Sequence, residues 1–217
     1  MNFITFHQKF VHQKKNKKEE FRRKIMSTTQ PIRNLEDLES LKNYFLVQKP
    51  NLRNYALICT AVNTARRISD VLSLKWDDVY HMESNTFRTH LVLTEQKTKK
   101  NTMIALNHGA VEGLSVYLKS LPSIEKEQYI FVGKDKKKPI SRIQAYRIIK
   151  EACEALNLSD HISCHSLRKT FGYQAWVSGT NPALLVSIYN HSSFDVTKRY
   201  LGIEQDDKDK VFLNLDL

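Results

Sequence analysis

Leu35, Leu38, Leu41, Tyr44 and Phe45 recur at three- and four-residue steps behind Asn34, and this predicts a helix capped by that asparagine just after Pro31. Tyr55, Ile58, Cys59 and Val62 place a second helix at about Asn51 to Ala65, with Pro50 at its start. A short helical piece, Ile68 to Leu74, leads into Trp76-Asp77-Asp78-Val79. The pattern then changes: Thr86 to Thr94 and Thr102 to Leu106 are rich in β-branched and aliphatic residues, and the polar stretch Glu95 to Asn101 between them reads as a hairpin loop. Helical spacing returns at Ala110 to Leu121, and Tyr129 to Val132 reads as a brief strand. Ser141 and Gln144 have capping-box spacing ahead of a helix with Ala145, Ile149, Ala152 and Leu156 on one face. Three more helices are predicted at His165 to Val177, Pro182 to Tyr189 and Phe194 to Gly202. Val211 to Leu217 alternates apolar with polar residues at its end and reads as a short docking strand. The fold class expected is mainly α with a small antiparallel β-sheet (α+β), without internal repeats.

Composition bounds the chemistry. The 217 residues are 41 % hydrophobic and 26 % charged, enough for one domain with its own core. Three widely spaced cysteines, Cys59, Cys153 and Cys164, imply no disulfide framework and fit a reducing cytoplasm. His161, Cys164 and His165 lack further ligands at zinc spacing, so no metal is expected. Six glycines build neither a GxxxxGK[ST] nor a GxGxxG cradle, which disfavours NTP hydrolysis and dinucleotide cofactors. No apolar run has membrane-spanning length. The net charge of +11 favours a polyanion, nucleic acid first. Residues 1–26 hold +6 of it and read as a flexible basic arm; the tail from Glu204 carries −3, which leaves +8 on the body.

Several residues on the body suit phosphoryl chemistry. Arg67 falls between two predicted helices with Asp70 one turn on, where it can orient a guanidinium; Lys97 lies in the hairpin loop. His165 and Arg168 share a face near a helix N-terminus, where main-chain amides also favour an anion. His191 and Tyr200 follow. Cleaving a phosphodiester without metal requires a nucleophile, fixed cations on the non-bridging oxygens and an acid for the leaving oxygen. Arginine meets the second need through its planar, permanently charged fork. A tyrosine nucleophile keeps the bond energy in a phosphotyrosine ester, so rejoining consumes no ATP. Singly, each cation is an ordinary solvated charge and Tyr200 an ordinary helix-end aromatic; their order along the chain is what makes them informative.

That order resembles the catalytic domain of the tyrosine recombinase, or phage integrase, family over residues 31–203. Arg67 matches the family's first arginine and Asp70 its acidic position. Lys97 in Gln96-Lys97-Thr98 matches the hairpin lysine, His165-Ser166-Leu167-Arg168 the His-x-Leu-Arg box, His191 the later His/Trp position and Tyr200 the nucleophile. Ala65-Arg66 stands where the family usually has Gly-Leu, and Asn190 where it has a glycine; asparagine is the residue best able to take over a positive φ there.

The resemblance implies a site-specific recombinase or integrase working through a 3′-phosphotyrosine, without cofactors. Tyr200 attacks the phosphate, Arg67 and Arg168 stabilise the phosphorane and His191 adds a hydrogen bond. His165 is the base and Lys97 protonates the leaving oxygen. The helix opened by Ser141 lies against the major groove, so Arg142 and Arg147, with Lys99, Lys100 and Lys137, are candidate DNA contacts. The expected partners are double-stranded DNA, further copies in a tetramer on synapsed sites, and an accessory protein, in the cytoplasm at the nucleoid. A type IB topoisomerase-like relaxing enzyme and a DNA-binding regulator of the same fold are the alternatives. The expected organisation is a basic extension at 1–30, the catalytic domain at 31–203 and an acidic linker and tail at 204–217. Residues 1–30 are too short for the core-binding domain that family members carry ahead of this one, so a minimal or partner-dependent recombinase is expected.

Overall fold

The computed structural model describes residues 29–94, 97, 101–135, 137–159, 161–203 and 205–215. The basic arm at 1–26, Lys99, Lys100 and Lys136 lie outside the described residues.

Polar caps set most helix boundaries where the sequence places them. The Asn34 side chain accepts the Glu36 N–H and opens α1 (Leu35–Asn43), which runs into a single π-helical turn at Tyr44–Gln48. Asn51 likewise accepts the Asn54 N–H and opens α2 (Leu52–Thr64). α2 is buried without a break from Asn54 to Val62, mostly by apolar side chains, and forms the centre of the fold. It stops at Ala65, whose left-handed backbone (φ 53°) turns the chain toward α3 (Ile68–Leu72) and α4 (Trp76–Val79).

The expected strand at Thr86–Thr94 is two strands. β2 (Thr86–Phe87) pairs antiparallel with β1 (Tyr80–His81), and β3 (His90–Thr94) pairs with β4 (Asn101–Ala105). The chain bends between β2 and β3, where the Arg88 N–H turns to the Val79 carbonyl (2.8 Å). The β3–β4 register pairs Thr94 with Asn101 and so puts Lys97 in the connecting loop, as predicted. α5 (His108–Leu118) packs along α2. Tyr129–Val132 forms no strand; it contributes isolated bridges from Tyr129 to Lys75 and from Val132 to Pro139.

Ser141 Oγ accepts the Gln144 N–H at the start of α6 (Arg142–Ala155). Ser163 and Ser166 cap α7 (Cys164–Val177) reciprocally, and Asn181 caps α8 (Pro182–Tyr189), which has proline in its first turn. α9 (Phe194–Leu201) closes at Gly202, whose φ of 69° favours glycine. The tail is a helix, α10 (Gln205–Asn214), and not the predicted docking strand. A lone strand leaves its backbone groups without a ladder, whereas a helix pairs its own. Val211, Phe212 and Leu213 on it are exposed.

The apolar interior falls into two parts. The larger is built around α2, from Ile32 to Leu167. A small second cluster holds Ala65, Leu185, Tyr189, Leu201 and Ile203, with Phe171, Trp176, Phe194 and Tyr200 against it. Gly172 makes the second cluster possible. A Cβ there would stand 2.5 Å from the Tyr189 hydroxyl and 2.6 Å from Leu201 Cδ2, so only glycine lets α8 and α9 close onto α7.

Candidate active site

Three of the singled-out side chains sit at helix boundaries. Arg67 is the residue before α3, with extended backbone, and the Asp70 N–H donates to its carbonyl (2.8 Å); Asp70 itself is buried. His165 is on the first turn of α7 and exposed, with the buried Arg168 one turn further into the same helix. His191 follows the left-handed Asn190 (φ 54°), the positive φ expected where glycine is usual.

Arg168 is the centre of the arrangement. Only 3 % of it is exposed, its Cζ stands 4.9 Å from the Tyr189 ring centroid and 6.0 Å from that of Tyr200, and Nη2 donates a long bond to the Tyr189 carbonyl (3.4 Å). Its Nε and Nη1 have no hydrogen-bond partner among the described residues. A buried cation with open donors is costly, and an anion with paired oxygens is what would satisfy it.

Tyr200, on the last turn of α9, packs its ring 5.1 Å from His191 and 5.4 Å from Tyr189. Burial pushes its phenol pKa up, and the positive charges of Arg168 and Arg67 pull against that without overcoming it. The hydroxyl therefore keeps its proton at neutral pH and needs a base to attack. Loss of water, followed by the charges of Arg168, Lys169, Arg67 and Lys97, holds the His165 pKa below the usual imidazole value. Desolvation, then Arg168 and Arg67, does the same to His191. Both rings are therefore neutral near pH 7; Arg67 and Arg168 act on His165, His191 and Tyr200 alike, and Lys97 on His165. His191 Nδ1 lies 3.0 Å from Thr197 Oγ1. Thr197 Oγ1 gives its own proton to the Ser193 carbonyl (3.2 Å), which leaves it to accept from His191 Nδ1–H and fixes the orientation of the ring.

Arg67 and Lys97 also line an open groove of about 840 Å³ with Lys138, Ser141 and Arg142. On α6, Arg142 and Arg147 are both exposed, interleaved with the exposed apolar residues Ile143 and Tyr146. Lys137 is exposed in the turn before that helix. The structure thus joins Arg142 to the cationic groove and puts Arg147 further along the same helix.

Four supporting residues escape sequence reasoning. Tyr189 donates its hydroxyl proton to the Arg168 carbonyl (2.7 Å). The buried Arg66 donates from Nε to the Thr64 carbonyl (3.2 Å) and from Nη2 to that of Ile188 (2.8 Å), tying the turn before α3 to the end of α8. Thr197 orients His191. Lys169, buried and with its pKa lowered by desolvation, holds its ammonium 5.2 Å from the Tyr200 ring centroid. Tyr189 reads as a core aromatic, and Arg66 and Lys169 as neighbours of the more obvious arginines; only three-dimensional proximity marks them out.

A helical domain with a small antiparallel sheet, in which an arginine pair and two neutral histidines surround a tyrosine, has the architecture of a tyrosine recombinase catalytic domain. The phage integrase family profile matches residues 31–206, and the chain belongs to that family. It is 41 % identical over 181 residues to a probable integrase/recombinase, YoeC, of Bacillus subtilis, a match that covers 83 % of this chain and 93 % of that protein. It is 26 % identical over 164 residues to the tyrosine recombinase XerD of Corynebacterium glutamicum, where it covers 75 % of this chain but only 52 % of the relative. Among solved structures, XerA recombinase superposes with a TM-score of 0.68 at 17 % identity, covering 87 % of this chain and 64 % of that one. The Tn1549 transposon integrase in complex with circular intermediate DNA gives 0.58 at 20 % identity, covering 78 % and 60 %. No described helix is long and apolar enough to cross a membrane.

Proposed function

We propose that Tyr200 is the nucleophile of a site-specific DNA recombination reaction and that Arg168 and Arg67 seat the scissile phosphate. The observation that carries this reading is the buried Arg168 guanidinium, with two open donors, beside the half-buried Tyr200 ring. Tyr200 Oη attacks phosphorus while neutral His165 accepts its proton. The P–O5′ bond breaks, and the departing oxygen takes a proton from Lys97. A 3′-phosphotyrosine and a free 5′-hydroxyl result. Rejoining is the reverse: a 5′-hydroxyl attacks, its proton returns to Lys97, and the tyrosine oxygen leaves with the proton held on His165. His191 adds a hydrogen bond to a non-bridging oxygen. Asp70, buried on α3, supports the turn that presents Arg67.

Duplex DNA is the partner. Arg142, Arg147 and Lys137 contact its backbone beside the reacting phosphate, and Lys99 and Lys100 extend that contact from the hairpin loop. The chain acts as an assembly of copies on paired sites, with an accessory protein contributing DNA grip, in the cytoplasm at the nucleoid. The basic segment at 1–26 adds non-specific attraction to DNA, and the domain that begins with the anchored Thr29 and Gln30 carries the chemistry.

A nicked suicide substrate, from which the 5′ segment diffuses away after cleavage, tests the central claim. Wild-type protein should become covalently attached to the 3′ end and Tyr200→Phe should not. Attachment by Tyr200→Phe would overturn the assignment. A two-site recombination assay beside a supercoil-relaxation assay separates strand exchange from simple relaxation.

A further inference from the structure

The segment that enters the domain, residues 29–33, is tied to α7, to the turn just before it and to the end of α9. The Gln30 N–H donates to the His161 carbonyl (3.1 Å), and the Ile32 N–H to the buried Thr170 Oγ1 (2.8 Å). Gln174 Nε2 donates to the Arg33 carbonyl (2.8 Å), and the Lys169 ammonium to the Thr29 carbonyl (2.5 Å). The entering chain is thereby fixed along the helix that carries His165 and Arg168.

Arg33 extends this attachment to the nucleophile. Its Nη2 donates to the Gly202 carbonyl (2.5 Å), two residues beyond Tyr200. Its Cζ stands 4.9 Å from the Tyr173 ring centroid, and Nη1 lies 3.9 Å from Asp207 Oδ2 on α10. The Tyr173 hydroxyl donates to the other oxygen of Asp207 (2.9 Å). One guanidinium therefore spans the entering chain, α7, the turn that ends α9 and the first turn of α10. Gly202 is held from both sides, since its N–H and that of Ile203 point back to the Lys198 carbonyl.

We propose that Arg33 is a positioning residue for Tyr200: by fixing the Gly202 turn, it sets where the last turn of α9 holds the phenol relative to Arg168. The inference rests on the reading of Tyr200 as nucleophile. A reacting oxygen displaced by about 1 Å loses on the order of 100-fold in rate, so a single anchor two residues away has kinetic weight.

The test compares full-length wild type, Arg33→Ala, Arg33→Lys and Tyr200→Phe on the nicked suicide duplex, with the attachment rate measured at saturating DNA and affinity measured separately. Arg33→Ala should attach at least about tenfold more slowly while its DNA affinity stays within about threefold of wild type. Arg33→Lys keeps the charge and one donor for the Gly202 carbonyl, so it should recover part of the rate, and it remains informative if the alanine variant folds poorly. An attachment rate for both Arg33 variants within about threefold of wild type would overturn the proposal, as would a rate loss that is only a loss of affinity. The Tyr200→Phe arm separates the two claims: adduct formation there would refute the nucleophile assignment itself, whatever Arg33 does.

Discussion

Arg168 and Tyr189 hold each other from both ends: the guanidinium lies 4.9 Å from the tyrosine ring centroid, while the tyrosine hydroxyl donates a 2.7 Å hydrogen bond to the arginine's own carbonyl. The contact orients a buried cation without consuming all of its donors. The ring supplies attraction through its face, and the hydroxyl ties α8 to α7.

Tyr189→Phe keeps the ring and loses the bond to the Arg168 carbonyl. Chemical denaturation should show a loss of about 1 kcal/mol, with a reduced attachment rate on the suicide substrate. Tyr189→Ala also leaves a cavity and should cost about 3–5 kcal/mol. Equal stability of the phenylalanine variant and wild type would show that the bond contributes nothing net.

Gly172→Ala forces a methyl group against the Tyr189 hydroxyl and Leu201. The overpacking should cost about 1–3 kcal/mol and push α9 outward, so covalent attachment should fall more than DNA affinity does. Thermal unfolding and the suicide substrate read the two effects separately.

Ala65 occupies a left-handed backbone at which an L side chain costs about 1–2 kcal/mol. Ala65→Gly relieves that strain but loosens the unfolded chain, so denaturation should show a gain of about 1 kcal/mol or less. A loss would mean that the buried methyl contributes more through packing than the backbone loses.

The two histidines set the pH behaviour. Each has its pKa held below the ordinary value of about 6.5 in the folded state, so the unfolded chain binds the proton more readily. Their contribution to stability is complete above about pH 6.5 and is lost as pH falls through the folded-state values. Attachment at saturating DNA should likewise persist below pH 6.5 and decline only when His165 protonates. A pH–rate profile that breaks above pH 7 would contradict the role of His165 as base.

Salt dependence reads the DNA interface. Replacing Arg142 or Arg147 with alanine should flatten the slope of log affinity against log salt by about 0.9 per phosphate contact removed. An unchanged slope for Arg147→Ala would place that residue off the DNA.

Much of the fold was legible in the chain because polar caps are local signals. Asn34, Asn51, Ser141 and Asn181 mark helix starts through their own side chains, and Pro182 reinforces the last of them. The β1–β2 hairpin was not legible, since two-residue strands are too short to show a period. The tail misled because Val211, Leu213, Leu215 and Leu217 alternate as a strand would, while Gln205–Asn214 satisfies its backbone more simply as a helix. In the site, the residues proposed to react were singled out by order and type. Tyr189, Arg66, Lys169 and Thr197 could not, because each acts through a neighbour distant in sequence or carries a residue type common in cores and on surfaces.

The division of the interior into two clusters bears on how this protein can change. Arg67 and Lys97 belong with elements packed on the α2 core, whereas Tyr200 rides on the small cluster closed by Gly172, Leu185, Tyr189 and Leu201. Substitutions around Arg67 and Lys97 and substitutions around Tyr200, the proposed nucleophile, therefore fall largely on different packing units. Repacking within one unit therefore leaves the other largely undisturbed, and Arg168, whose guanidinium faces Tyr189 and Tyr200, answers to the small cluster.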